Sequence, residues 1–170
     1  MSDSRSLLDE LLEAWEYTRD GVIAEAEGLP EDRFGYRPAG ESRSVAELVV
    51  HIVEAGYMMA GELTRPDGDF TRQAYAEHIR EHAGEIVPAQ PKNDLVALLR
   101  ASGSAGRDRL REAGELAMFQ LIRRFDGARG TRLAWLHHGI EHESYHRGQL
   151  ALYARLMGQV PALTRAIHGS

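Results

Sequence analysis

Thr131 to Met157, TRLAWLHHGIEHESYHRGQLALYARLM, holds four of the chain's eight histidines and reads as one long helix. Thr131 is suited to the N-cap, Gly158 and Pro161 to the stop, and no proline interrupts the run. Advancing 100° per residue brings Trp135, His142, His146, Tyr153 and Met157 onto one line, with Ile140, Glu143 and Arg147 off it. That line is expected to face the core. A lone inward histidine is ordinarily a hydrogen-bonded core residue. Two at i,i+4 have Cβ atoms roughly 5–6 Å apart and can turn two ring nitrogens onto one ion. His138 continues the series but lies about 12 Å along the axis from His146, too far to share that ion. A third ligand is expected from another helix.

The remaining composition narrows the chemistry. A length of 170 residues, 43% apolar and 27% charged, suits one globular domain spanning 1–170. No run approaches the ~18 apolar residues of a membrane span. The opening MSDSRSLLDELLEAW carries acids where a signal peptide would be basic and then apolar, so a cytoplasmic protein is expected. Twenty Lys+Arg against 26 Asp+Glu give a net charge of −6, which repels a phosphate backbone. Arg107, Arg109 and Arg111 are interrupted by Asp108 and Glu112, so nucleic-acid binding is not expected. With no cysteine, a metal must be held by imidazole or carboxylate. Any thiol chemistry needs a thiol brought in by a substrate.

Upstream, Leu7, Leu8, Leu11, Leu12, Trp15, Val22 and Ile23 mark a helix from about Ser6 to Glu27, ended by Gly28 and Pro30. LPEDRFGYRPAGESR has no period and reads as a connection that Phe34 and Tyr36 pin down. Ser44 and Glu47 form a capping box before a second helix with a stripe of Val45, Leu48, Val49, Ile52, Gly56 and Met59. His51 lies at the edge of that stripe. Phe70 to Val87 reads as a shorter helix stopped by Pro88, with His78 and His82 on a polar, solvated face. Asn93 is suited to capping the next helix, whose face of Leu95, Leu99, Ser102, Gly106, Leu110 and Ala113 has a small-residue middle. Phe119 to Phe125 reads as an extended connection or a short edge strand. Four amphipathic segments without a convincing sheet predict an all-α bundle.

His142-Glu143-Ser144-Tyr145-His146 matches HExxH, the zinc-protease motif in which the glutamate polarises water. No Asp or Glu follows His146 to complete such a site, and Gln149 and Leu152 stand where the longer motif needs glycine and histidine. Glu143 precedes Arg147 by four residues, the favourable order for an exposed ion pair. Tyr145 and Gln149 flank the histidines, suited to core packing or to a hydrogen bond on a ligand. No general base stands out.

SVAELVVHI with His51, HESYHRGQL with His142 and His146, the closing MGQVP and the connection LPEDRFGYRPAGESRS together resemble the DinB/YfiT-like superfamily across nearly the whole chain. The resemblance implies a four-helix bundle of up-down-down-up topology, here with one extra short helix between helices two and three, and a homodimer. It implies that His51, His142 and His146 hold one divalent metal ion, nickel or zinc, with positions open to water. Relatives that transfer bacillithiol or mycothiol to electrophiles suggest a metal-dependent low-molecular-weight-thiol S-transferase acting on a small-molecule substrate. Others suggest a metal-dependent hydrolase, and a non-catalytic metal-binding stress-associated protein is the remaining alternative.

Overall fold

The structure is a computed structural model and describes residues 5–169. Its frame is four long helices: α1 (Leu7–Gly28), α2 (Val45–Leu63), α4 (Lys92–Ala113) and α6 (Arg132–Leu156), with short α3 (Tyr75–Ala83), α5 (Glu115–Met118) and α7 (Ala162–His168) between and after them. Local chemistry fixes the starts. Ser6 with Asp9, and Ser44 with Glu47, form capping boxes, and Thr131 accepts from the Ala134 N–H. At α4 the expected cap moves: Pro91 is the N-cap and Asn93 lies inside the first turn. Proline lacks the N–H that a helix start leaves unpaired, so it is accommodated there.

Neither α1 nor α2 carries a basic residue in its last turn, and each end borrows a cation from another helix. Lys92 donates to the carbonyls of Glu27 and Leu29 at 2.7 and 2.6 Å. Arg132, the first residue of α6, donates to the Leu63 carbonyl at 2.6 Å. Unpaired carbonyls and the negative end of the helix dipole are satisfied together.

Contacts between helices set their directions. Trp15 lies against Gly106, Arg19 bonds Ser102 and Glu27 pairs with Arg100, so α1 and α4 run oppositely. Trp15 meets Glu143 and Gly21 meets Arg147, so α1 and α6 run together. His51 faces His142 and His146, and Met59 lies against Gly139, so α2 opposes α6. Ala60 lies by Gly106 and Thr64 bonds Arg109, so α2 and α4 run together. The topology is up-down-down-up, with α1 and α2 each packed between α4 and α6.

The connection after α1 makes a single 3-10 turn at Glu31–Arg33. It is pinned as expected: the N–H groups of Val45 and Ala46 donate to the carbonyls of Tyr36 and Phe34, and the Tyr36 ring meets Tyr153 edge-on at 6.1 Å. The expected helix over Phe70–Val87 is shorter. A 3-10 turn at Phe70–Arg72 precedes α3, which ends at Gly84 with φ 68°. Phe119–Phe125 contains β1 (Leu121–Arg123), paired antiparallel with β2 (Arg129–Thr131) across a turn at Gly127, φ 80°. The last residue of β2 is also the cap of α6. Helix α7 was not evident in the sequence; its first N–H groups, of Ala162 and Leu163, donate to the buried carboxylate of Glu25. Among the described residues no helix is long and apolar enough to cross a membrane.

Two apolar clusters fill the bundle. One holds Val22, Val49, Leu99 and Leu150, the other Trp15, Met59, Leu110 and Ile140. Along α1, α4 and α6 the residues between these clusters include Arg19, Ser102, Glu143 and His146. A buried polar layer therefore crosses the middle of the core.

Candidate metal centre

Helix α6 packs against both α1 and α2, so it buries two adjoining stripes rather than one. Leu136, Ile140, Glu143, Leu150 and Ala154 are buried in the bundle. Ile140 and Glu143, expected off the inward line, are thus inside it. Trp135 and His142 are only partly buried, while His146 and Tyr153 are buried. The histidine line is the flank of α6 that turns toward α2.

On that flank the Nε2 atoms of His51 and His142 stand 3.2 Å apart, and those of His142 and His146 3.0 Å apart. Ring planes cross at 69°, 89° and 81°, so the three edges point to one place. The separations suit a shared ion: at nitrogen–metal distances near 2.0–2.1 Å, neighbouring ligand atoms lie about 3.3 Å apart in a tetrahedron and about 2.9 Å in an octahedron. Among the described residues no fourth histidine or carboxylate joins the group. His146 Nδ1 lies 2.7 Å from Gln149 Oε1. Donation from Nδ1 to the amide oxygen leaves the Nε2 lone pair free for a metal and fixes the ring.

Electrostatics favour neutral imidazoles. Burial, then Arg43 and the two neighbouring rings, lowers the pKa of His51 to about 3. Burial, then His146, His138 and Arg43, lowers that of His142 to about 4. His146 is lowered chiefly by burial, with the Gln149 bond opposing. Each cause disfavours the protonated form that cannot bind a metal. Two further groups are shifted that no motif in the sequence marks: Glu54, raised by burial, and Tyr75, raised by burial and then by Glu54. Glu54 follows His51 by one turn; Tyr75 comes from α3, whose approach to α2 is a tertiary fact.

The other sequence candidates fall elsewhere. His138 is exposed and stacks on Trp135 with centroids 4.5 Å apart. Tyr145 is exposed, so it is not core packing. Glu143, expected to pair with Arg147 at the surface, is 4% exposed and joins Arg19, itself 1% exposed. Arg19 Nε donates to Glu143 Oε1, Arg19 Nη2 to Oε2 at 2.9 Å and Trp15 Nε1 to Oε2 at 2.8 Å. Arg19 Nη1 also donates to the Leu99 carbonyl and Ser102 Oγ at 2.7 and 2.6 Å. Both oxygens are committed, unlike the water-polarising glutamate of HExxH proteases. The available signal was Arg19 itself, four residues after Trp15 in the gap of the α1 stripe. A guanidinium there requires a buried carboxylate.

His78 and His82 are also not solvated. Their polar helix docks on Glu62 of α2, which is fully buried: His78 Nδ1 and His82 Nε2 lie 2.8 and 2.7 Å from Glu62 Oε1, and His78 Nε2 lies 3.0 Å from the Phe70 carbonyl. Glu62, Glu81 and His82 could converge on an ion, but Arg72 Nη2 bonds both carboxylates and Arg65 lies 3.0 Å from Glu81. Guanidinium groups already supply the positive charge there.

Beside His142 an apolar cavity of about 170 Å³ opens between α2, α3 and α6, lined in part by Met58, Tyr75, Phe125 and Trp135. On the other side, Gln149, Arg43 and Tyr153 line a polar cleft.

Known proteins share this arrangement of helices. YjoA of Bacillus subtilis (strain 168) is 28% identical over 138 residues, covering 78% of this chain and 79% of YjoA. Its crystal structure superposes with a TM-score of 0.69 over 89% of this chain and 93% of that one, at 24% identity. YfiT from B. subtilis, described as a probable metal-dependent hydrolase with an unusual four-helix bundle topology, gives 0.68 at 15% identity, covering 94% and 93%. A mutant of the mycothiol-dependent maleylpyruvate isomerase gives 0.65 at 14% identity, covering 84% of this chain and 60% of that one. The structural likenesses carry the fold, and the sequence matches the DinB family over residues 1–168; the chain belongs to the DinB family.

Proposed function

We propose that this chain is a divalent-metal-dependent enzyme, a low-molecular-weight-thiol S-transferase acting on small electrophiles, with His51, His142 and His146 as the metal ligands. The observation that carries the reading is the convergence of three neutral imidazoles, with no fourth histidine or carboxylate among the described residues, beside a cavity. A structural metal site would be closed by a fourth side chain. Nickel or zinc suits an all-imidazole set. Held there without a carboxylate ligand, the ion would keep its full charge and lower the pKa of a thiol or water that reaches it.

The chain's own residues divide the remaining work. His51, His142 and His146 hold the ion, Gln149 orients His146, and the apolar cavity shields the reacting carbon from water. Having no cysteine, the protein takes its sulfur from a cosubstrate such as bacillithiol or mycothiol. In a displacement the sulfur bonds to the electrophilic carbon, the leaving group departs with its electron pair, and the thiol proton passes to solvent. The mycothiol dependence of the isomerase that shares this fold favours this version. YfiT, a probable metal-dependent hydrolase, favours one in which water replaces the thiol. The same reading takes the protein to be a cytoplasmic homodimer, with one domain over 1–170 and no nucleic-acid partner.

The test is an activity screen of metal-loaded protein, offering bacillithiol, mycothiol, glutathione and coenzyme A against alkyl and aryl electrophiles, with esters and amides in parallel. Thioether formation that disappears on chelation supports the transferase. Ester or amide cleavage without thiol dependence transfers the reading to the hydrolase, and metal binding without turnover of either class returns the non-catalytic alternative.

A further inference from the structure

The cavity beside His142 has a size and a chemistry that select what enters. From its walls we infer that it is the acceptor-substrate pocket and takes an uncharged aromatic group. This rests on the proposed metal-dependent transfer for its role, though not for its occupant.

Size comes first. The cavity measures about 170 Å³, and an apolar cavity of about 150 Å³ is enough to bind benzene.

Chemistry comes second. The walls are built from Ile52, Met58, Met59, Tyr75, Phe125 and Trp135. Aromatic edges and faces with polarizable thioethers suit a flat π-system better than a flexible polar chain. Among the described residues no lysine, arginine or aspartate lines the space. Its one carboxylate, Glu143, has both oxygens engaged by Arg19 and Trp15. In the metal-free pocket a ring carrying its own carboxylate would leave water with only the imidazoles of His138 and His142 to meet it. His142 is part of the wall, so the pocket borders the histidine cluster.

Two wall residues control the volume and are accessible to mutation. Ala55 follows His51 by one turn of α2 and is only partly buried, so a larger side chain there fills the cavity without entering the packed core. Tyr75 is 44% exposed and closes the side contributed by α3.

The experiment is titration calorimetry of the full chain, metal-loaded and after chelation, with benzyl alcohol, 1-propanol and phenylacetate. Benzyl alcohol should bind in both states. 1-Propanol and phenylacetate should each bind at least about tenfold more weakly to the chelated protein, where no metal is left to take the carboxylate. Ala55→Leu should weaken benzyl alcohol about tenfold with unchanged metal content, and Tyr75→Ala, which removes an aromatic wall, should weaken it as well. Equal binding of benzyl alcohol and 1-propanol overturns the inference, as does an Ala55→Leu protein that binds benzyl alcohol as tightly as wild type. These readouts need no turnover. Ring-selective binding with no transferase or hydrolase activity would sink the proposed function and leave the pocket; transfer to acceptors without ring preference would do the reverse.

Discussion

The carboxylate of Glu143 adjoins His142 in sequence and is turned to the opposite task. Removing it leaves the guanidinium of Arg19 in the core without its charge partner, a loss of about 3–5 kcal/mol for a buried pair. Urea denaturation of Glu143→Ala should show a loss of that size, with metal content retained by the folded protein. A variant of wild-type stability that had lost only activity would instead make Glu143 a water-polarising base. Titration gives a second expectation. His51 and His142 are held near pKa 3 and 4, below the ordinary value of about 6.5 for an unfolded chain. As pH falls below the unfolded value the unfolded state takes up protons that these residues refuse, so stability is lost progressively between about pH 6.5 and pH 3. Thermal melts of chelated protein at pH 7 and 5 should show a lower midpoint at pH 5. A higher midpoint would contradict the assignment of these rings as neutral. The i,i+4 pair His142/His146 is legible in the sequence because helical spacing alone places both on one face. The partner of Glu143 is not, because Arg19 is 124 residues away.

At the level of elements, α2 and α6 were readable nearly to the residue, because Ser44, Glu47 and Thr131 are local signals that act on their own N–H groups. Helix α3 was not: its polar sequence describes a solvated face, while the burial of His78 within it is imposed by Glu62, a carboxylate on another helix that needs partners. The cavity escaped for the same reason, since Tyr75 and Phe125 reach it only through the docking of α3 and the hairpin. His78→Ala removes one of the groups satisfying Glu62 and should cost about 1–3 kcal/mol. Amide exchange should accelerate over 75–83 and stay unchanged in α6, with metal content preserved. If that substitution released the metal, the Glu62 cluster rather than the three-histidine group would be the binding site.

For the molecule as a whole, the hairpin end leaves Leu116, Phe119 and Leu121 exposed at 85%, 46% and 58%. Apolar side chains grouped there are suited to covering by a second copy. Light scattering at micromolar concentration should give the mass of a dimer, and Phe119→Ser with Leu121→Ser should shift it to that of a monomer. A monomeric wild type removes this expectation and leaves the fold intact. The fold and the proposed chemistry meet at His51, brought by the up-down-down-up topology to a pair of histidines 91 and 95 residues further along the chain. The most direct measurement is therefore metal stoichiometry and affinity of His51→Ala beside wild type and His138→Ala, by elemental analysis and competitive titration with nickel and zinc. Wild type and His138→Ala should each hold one ion per chain, and His51→Ala should lose tight binding while keeping its helical circular dichroism. Retention of one ion at wild-type affinity by His51→Ala would contradict the cross-helix metal centre.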